Sequence, residues 1–222
     1  MSLFDVLPTF YESPYSYTLV PIVLISSIIG FYRKTYFHAL LLHPYEVARG
    51  KRIHTLLTSA FIHRSWLHLL FNSLIIYALA YDMFGCIKQE NGLLTAALLT
   101  PCLFIILIVV PNLFQVWIKR NNFFFTSVGI SGLTLGLYGF GLFFFPEQKA
   151  DNIFIAWVSN SLEYWIVATV FLFLLSFIPK IGINRQLHII AFHTGSFLAL
   201  LVRPESLAEM WPLILNLTHE NT

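Results

Sequence analysis

Residues 129–139 read Gly-Ile-Ser-Gly-Leu-Thr-Leu-Gly-Leu-Tyr-Gly, and this stretch decides how the chain folds. It lies near the start of an apolar segment, residues 123–145, that is long enough to cross a bilayer as a helix. Four glycines recur within eleven positions, and small residues let helix backbones approach closely in a membrane. The stretch therefore predicts a tightly packed transmembrane helix that carries one hydroxyl group, Ser131, inside the bilayer.

The composition of the whole chain indicates a membrane protein. Of its 222 residues, 57% are hydrophobic and 11% are charged, and phenylalanine alone occurs 22 times. A soluble domain carries about 25% charged residues. Because a soluble fold of this length cannot bury so much apolar surface, we expect the lipid bilayer to cover most of it. The net charge of +2 is too small and too dispersed to indicate nucleic acid as a partner.

Six apolar segments qualify, to different degrees, as membrane spans. They cover about residues 17–32, 66–84, 92–110, 123–145, 164–178 and 187–202. This predicts an all-α membrane protein with one six-helix domain, residues 17–202, between a short N-terminal tail (1–16) and a C-terminal tail (203–222). No repeat relates the two halves, which weighs against a transporter built from inverted repeats.

The charged residues are unevenly divided between the two ends of this predicted bundle. Six spans place both termini on one side, side A, and the loops before spans two, four and six on side B. Side A has three Lys or Arg residues and side B has ten, six of them in the loop at residues 33–64. The positive-inside rule would place side B in the cytoplasm. Outside that loop the counts are four and three, which favour neither orientation.

Four polar side chains are expected at a similar depth below side B. Asn72, Ser131 and His193 each follow the last polar or charged residue of the preceding loop by eight or nine positions. At about 1.5 Å per residue each would lie roughly 12 Å below the surface. His68 precedes Asn72 by one turn on the same helix face. Polar groups are unfavourable in hydrocarbon, so the shared depth predicts a single internal site.

Taken singly, each of these residues has an ordinary structural explanation. A serine in a membrane helix usually bonds its own backbone, a histidine near the interface usually anchors the helix, and an asparagine often joins two helices. The glycines are explained equally well by helix packing alone. Only the coincidence of depth on three helices favours a functional site.

The residue types fit hydrolysis by a serine–histidine dyad. A serine hydroxyl becomes a nucleophile when a base within hydrogen-bond reach takes its proton, and His193 could be that base. Gly195 and Ala199 repeat the small-residue spacing on the sixth span. Close packing of spans four and six would then bring Ser131 Oγ within reach of His193.

The oxyanion of such a reaction needs hydrogen-bond donors, which Asn72, His68 and the backbone N–H of Ser131 could supply. No acidic residue is expected at this depth, so a dyad is favoured over a Ser-His-Asp triad. The sequence has no His-Glu-x-x-His zinc motif, and Asp82 has no second aspartate in a span to share a proton. Neither a metal nor a cofactor is therefore expected.

Three stretches resemble the signature motifs of rhomboid proteases. Residues 57–72, Leu-Thr-Ser-Ala-Phe-Ile-His-Arg-Ser-Trp-Leu-His-Leu-Leu-Phe-Asn, are similar to the second-span signature that ends in His-x-x-x-Asn. Gly129-Ile130-Ser131-Gly132 is similar to the Gly-x-Ser-Gly nucleophile motif, and His193-Thr194-Gly195-Ser196 to the sixth-span histidine motif. The resemblance covers about residues 44–202, with the motifs in the family's order.

The resemblance implies a six-helix rhomboid-like bundle with a Ser131–His193 dyad, and with His68 and Asn72 assisting at the oxyanion. It also implies that the first loop, residues 33–64, is embedded in the membrane and that residues 179–186 form a cap loop.

Two further features follow from the same resemblance. Gly129 and Gly132 would shape the nucleophile motif, and Leu135 stands where the family commonly has an aromatic residue that supports the histidine. The first loop has His54-Thr55 where the family usually has Trp-Arg.

The implied activity is that of an intramembrane serine endopeptidase that cleaves single-span membrane proteins near the side B surface. The family's usual setting implies a multi-pass protein of a prokaryotic inner membrane, with cytoplasmic termini and a site open to the exterior or periplasm. The charge count predicts the reverse orientation. The main alternative is a rhomboid-like chaperone or trafficking factor that binds transmembrane clients without cutting them, and a small transporter or channel is the third hypothesis.

Overall fold

The computed structural model describes residues 7–149, 158–178 and 184–219, and these residues form an all-α bundle. No β-strand occurs within the three ranges, where short loops and isolated bridges join the helices. In chain order the helices are α1 (Pro14–Tyr32), α2 (Lys34–Leu40), α3 (Pro44–Val47), α4 (Thr55–Thr58), α5 (Trp66–Lys119), α6 (Ser131–Phe144), α7 (Ser161–Leu175), α8 (Arg185–Val202) and α9 (Ser206–His219), with a 3-10 turn at Ser59–Phe61. The predicted all-α membrane bundle is confirmed.

Helix α5 contains 54 residues because two helical stretches follow each other with one non-helical residue between them. That residue is Gly92, whose φ of 82° and ψ of 166° are accessible to glycine because it has no Cβ. The break falls at the boundary between the second and third predicted spans.

Within the described ranges, two helices, α1 and α5, are long and apolar enough to cross a membrane by themselves. Helices α8 and α9 meet the same criterion together, although they are bent by 116° where they join. Helices α6 and α7 are apolar but have only 14 and 15 residues. The number of six spans therefore stays a prediction.

The outer surface of the bundle is apolar, as a lipid-facing surface should be. Leu67, Phe71 and Leu74 recur at helical spacing along the first half of α5 and are 80%, 63% and 72% exposed. Lipid tails are as apolar as these side chains, so helix association in this protein depends on close packing rather than on removal of water.

Close packing joins α6 to α8 through backbone contacts at glycines. A Cβ at Gly195 would lie 1.8 Å from the carbonyl oxygen of Gly136, and a Cβ at Gly139 would lie 2.1 Å from that of Phe192. Neither position has room for a side chain. The predicted close approach of the fourth and sixth apolar segments is thus observed.

The first loop, residues 33–64, has a structure of its own built around Arg52. The Arg52 guanidinium pairs with Glu46 at 2.9 Å, and this bond holds the pKa of the Glu46 carboxyl below its ordinary value. The same guanidinium donates to main-chain carbonyls of the preceding segment, those of His38, Ala39 and Leu41. His54 adds a contact of 3.2 Å to the Ala39 carbonyl. Arg52 therefore stabilises the loop with its guanidinium group. His54-Thr55 stands where the resemblance leads one to expect Trp-Arg.

The predicted C-terminal tail contains a helix, α9, that is attached to the bundle. Arg203 forms an ion pair with Glu209 of α9, lies 3.6 Å from Glu90, and donates to the Phe144 carbonyl at 2.9 Å. The division of the chain into two tails and one catalytic domain stays a prediction.

Candidate active site

Ser131 is the first residue of α6, and the loop before it is held by main-chain hydrogen bonds to the first loop. Ser127 and Leu42 exchange two N–H···O bonds of 3.0 Å, and the Gly129 N–H donates to the Ser59 carbonyl at 2.9 Å. The first N–H groups of a helix have no partner within the helix. The Ser131 backbone therefore begins α6 with a donor that the helix itself does not use.

Gly129 is required at its position for two independent reasons. Its φ is 108°, in the region that residues with a side chain rarely adopt. A Cβ on Gly129 would also lie 2.8 Å from Cε1 of His68. Gly132 differs, because a Cβ there would lie 3.7 Å from the Leu187 side chain, at ordinary van der Waals distance.

The side chain that meets Ser131 is His188, in the first turn of α8. Ser131 Oγ lies 3.0 Å from Nε2 of His188, which is a hydrogen-bond distance. Both residues line a cavity of about 1280 Å³ that His68 also lines. The structure thus brings Ser131, His68 and His188 together around one open space.

The predicted pairing of Ser131 with His193 is not formed. The Nδ1 atom of His193 donates to the Ile189 carbonyl of its own helix at 2.8 Å. Its ring lies against Trp165 and Phe192, with centroid distances of 5.6 and 5.4 Å. Residues five apart on a helix are separated by about 140°, so His188 and His193 cannot both face α6. His188 replaces His193 as the partner of the serine.

One feature of the sequence points to His188, and it concerns rotation about the helix axis rather than depth. His188 and Gly195 are seven residues apart and share a helix face, whereas His193 lies about 160° away from Gly195. Helix α6 begins at Ser131 itself, since residues 123–130 are not helical. The depth predicted for Ser131 is therefore wrong in its basis, because the eight residues before it do not form a helical rise of about 1.5 Å each.

Asn72 is 3% exposed and is not among the residues that line the cavity. Its Nδ2 donates to the His68 carbonyl at 2.8 Å, and its Oδ1 lies 3.5 Å from Oγ1 of Thr134. Thr134, which the sequence analysis missed, donates more closely to the Ser131 carbonyl, at 2.8 Å. Asn72 thus lies beside Thr134, in the first turn of α6.

The backbone of His68 is held in the first turn of α5. The hydroxyl of Ser65 accepts a hydrogen bond from the His68 N–H at 3.3 Å, which is an N-cap arrangement. The His68 ring lies at a centroid distance of 4.9 Å from that of His63.

His63 connects α1 to the nucleophile loop and was also missed. The Ile130 N–H donates to His63 Nε2 at 3.4 Å, so Nδ1 carries the proton and donates to Ser27 Oγ at 2.9 Å. Ser27 in turn donates to the Phe61 carbonyl at 3.1 Å. Burial, with a smaller contribution from the charge of His68, lowers the pKa of His63 to about 3, so its imidazole is neutral.

The remaining predicted residues and segments have separate outcomes. Leu135 is half-buried one turn after Ser131, and its supporting role stays a prediction. Of the predicted cap loop, residues 179–183 lie outside the described residues. Within the part of the chain that the structure describes, no group of three or more His, Cys, Asp or Glu side chains could hold a metal ion.

Comparison with known proteins identifies one family. The family model for the Rhomboid domain matches residues 50–205, well over half of the chain, and this range includes Ser131, His188, His68 and Asn72. No curated protein matches the chain at a significant level. On the strength of the family match, the chain belongs to the rhomboid family.

Proposed function

We propose that this rhomboid is an intramembrane serine endopeptidase that cleaves transmembrane proteins, with Ser131 as nucleophile and His188 as general base. The observation that carries the proposal is the 3.0 Å contact between Ser131 Oγ and His188 Nε2 at the wall of an open cavity. His188 takes the role that the sequence analysis gave to His193.

The reaction proceeds in two steps through an acyl-enzyme. His188 Nε2 takes the proton of the Ser131 hydroxyl as Oγ attacks the carbonyl carbon of the scissile peptide bond. When the tetrahedral intermediate collapses, the C–N bond breaks and His188 returns the proton to the leaving amine. In the second step His188 takes a proton from a water molecule as its oxygen attacks the ester carbon. The C–O bond to Ser131 Oγ then breaks, the carboxyl product leaves, and His188 returns the proton to Oγ.

We propose that three groups bind the oxyanion of each tetrahedral intermediate. The Ser131 N–H lies at the start of α6, where the helix dipole favours negative charge. The His68 ring lies in the same cavity, and Asn72 retains a second N–H besides the one on the His68 carbonyl. The loss of one oxyanion donor typically raises the barrier by about 3–4 kcal/mol.

The proposed reaction requires the substrate helix to unwind near the scissile bond. A transmembrane helix hides its amide groups in its own hydrogen bonds, so it must unwind before Ser131 can reach a carbonyl. Segments with glycine or proline unwind most readily. We therefore expect substrates whose helix is weak near the scissile bond.

We also infer that the protein lies in a prokaryotic inner membrane, with both termini in the cytoplasm and the cavity open to the exterior or periplasm. This orientation follows the usual arrangement of the family. The Lys and Arg count favours the opposite one.

The decisive experiment compares two histidine variants. Ser131→Ala and His188→Ala should each lower kcat/KM for a model membrane substrate by about a thousandfold or more, because nucleophile and base act as a unit. His193→Ala is the matched control and should retain most of the activity. A fluorophosphonate probe should label the wild type and not Ser131→Ala.

Two results would contradict the assignment. If His193→Ala lost all activity and His188→Ala retained it, the general base would be His193, as the sequence motif predicts. Absence of labelling and of cleavage in a folded wild type would favour the chaperone or trafficking role, in which transmembrane clients are bound without being cut.

A further inference from the structure

The cavity that contains Ser131 is lined by three cationic side chains. They are Arg64 before α5, Lys119 at the end of α5, and Arg185 at the start of α8. Among the described residues that line the cavity there is no aspartate or glutamate. The three cations lie at separate points of the chain and line one space.

None of these positive charges is neutralised by a carboxylate within the described ranges. Arg64 Nη2 donates to the carbonyl and hydroxyl of Thr126 at 2.9 Å, and Arg185 Nη1 donates to the Ser176 carbonyl at 2.7 Å. Neutral acceptors such as these orient a guanidinium and leave its charge in place. The Lys119 ammonium lies 5.6 Å from the centroid of the Phe125 ring.

The same sign extends over the whole end of the bundle where the cavity opens. Among the described residues at this end, the basic ones outnumber the single acidic one, Glu46. They are Arg33, Lys34, Arg49, Lys51, Arg52, Arg64, Lys119, Arg120 and Arg185. At the opposite end the described acidic residues are in excess: they are Glu12, Asp82, Glu90, Glu147, Glu163, Glu205 and Glu209, against Lys88, Lys149 and Arg203.

A cleft lined by one sign of charge, beside a low-dielectric wall, concentrates ligands of the opposite sign. The proposed protease must receive a polypeptide segment in this cleft. We propose that the cavity selects substrates that carry Asp or Glu next to the scissile bond, on the part of the segment that lies outside the hydrocarbon. Arg64, Lys119 and Arg185 are then specificity-determining residues. The substrate class rests on the proposed function, whereas the affinity for acidic segments does not.

The test uses three model membrane substrates that share one cleavage sequence and differ only in flanking residues, which are Asp, Asn or Lys. Wild-type enzyme in a zwitterionic detergent should cleave the Asp substrate about fivefold more efficiently than the Asn substrate, mainly through KM. The Lys substrate should be cleaved least. At about 1 M salt the differences should disappear, because charges are screened beyond roughly 3 Å.

A charge reversal identifies the residue responsible. Lys119→Glu should lower kcat/KM for the Asp substrate and raise it for the Lys substrate. Lys88→Glu, the same change at the opposite end of the bundle, should leave both values unchanged. The salt dependence of the wild type tests the same electrostatic attraction without requiring any variant to fold.

Binding of the three substrates to Ser131→Ala separates this inference from the proteolytic activity. Tighter binding of the Asp substrate, with no cleavage by the wild type, would support the acidic preference and overturn the protease. Equal cleavage of all three substrates, dependent on Ser131, would overturn the preference and leave the protease intact. Equal binding of all three would also overturn the preference.

Discussion

At the scale of single residues, the region around Ser131 contains glycines and histidines that look alike in the sequence and have different roles in the structure. Gly129 adopts a positive φ against His68, while Gly132 has room for a methyl group beside Leu187. His188 reaches the serine, and His63 accepts from the Ile130 backbone instead. Position in the fold, rather than residue type, separates these roles.

The two motif glycines should therefore respond differently to the same substitution. Gly129→Ala should abolish most activity and lower the thermal stability, because the new Cβ meets the His68 ring and the backbone is strained by about 1–3 kcal/mol. Gly132→Ala should retain its stability and fluorophosphonate labelling, since its Cβ lies 3.7 Å from Leu187. Thermal melts and labelling of both variants measure the contrast, and equal damage in both would contradict it.

His63 should make stability depend on pH. Its pKa is lowered in the folded protein from 6.5 to about 3 by burial, so the unfolded chain binds the proton more readily. Its contribution is fully present above pH 6.5 and is lost as the pH falls from 6.5 towards 3, by at most about 1.4 kcal/mol per pH unit.

The variant that tests this is His63→Asn, which keeps an N–H donor towards Ser27 and cannot take up the proton. Its unfolding free energy should fall less steeply than that of the wild type between pH 6.5 and 4.5. Unfolding in detergent at a series of pH values provides the measurement. Parallel slopes in the two proteins would show that His63 does not titrate as described.

At the scale of secondary-structure elements, the pairing of α6 with α8 creates the dyad. Gly136 and Gly195 bring the two backbones into contact, and this contact sets the distance between Ser131 and His188 at the starts of their helices. The first loop supports the pair from the other side through the Leu42–Ser127 bridge. Activity should therefore be sensitive to changes at glycines far from the cavity.

Gly195→Ala should separate α6 from α8, because its Cβ would lie 1.8 Å from the Gly136 carbonyl oxygen. Overpacking typically costs about 1–3 kcal/mol, and here the obstacle is backbone that cannot rotate away. We expect a lower melting temperature together with a loss of activity. Gly141→Ala, on α6 but with no atom within 4 Å of its Cβ, is the matched control and should behave like the wild type. A melting temperature unchanged in both variants would contradict the close contact.

At the scale of the whole molecule, basic residues are concentrated at the end of the bundle where the cavity opens, and acidic residues at the end that carries α9. The positive-inside rule interprets this asymmetry as orientation, whereas the acidic-substrate hypothesis interprets it as recognition. Only the first interpretation fixes the side of the C-terminus: it places the C-terminus outside the cytoplasm, opposite to the proposed orientation.

Reporter fusions to the C-terminus distinguish the two orientations. In the proposed orientation a fluorescent protein fused after residue 222 should fold and fluoresce in the cytoplasm, and a fused alkaline phosphatase should be inactive. The converse pattern would place the cavity end in the cytoplasm. Fusions within the first loop serve as the opposite-side control.

The sequence by itself determined that this protein is an all-α membrane bundle, because a soluble fold of this length could not bury so much apolar surface away from water. It also indicated close helix packing along the glycines that follow Ser131, because small residues at helical spacing let helix backbones approach closely. Residue spacing measures distance along a helix, and it does not reveal where α6 begins or how α8 is rotated. Only the tertiary structure decided that Ser131 opens its helix and that His188, rather than His193, faces it. The physical reason is that five residues turn a helix by about 140°, so one of the two histidines must point away.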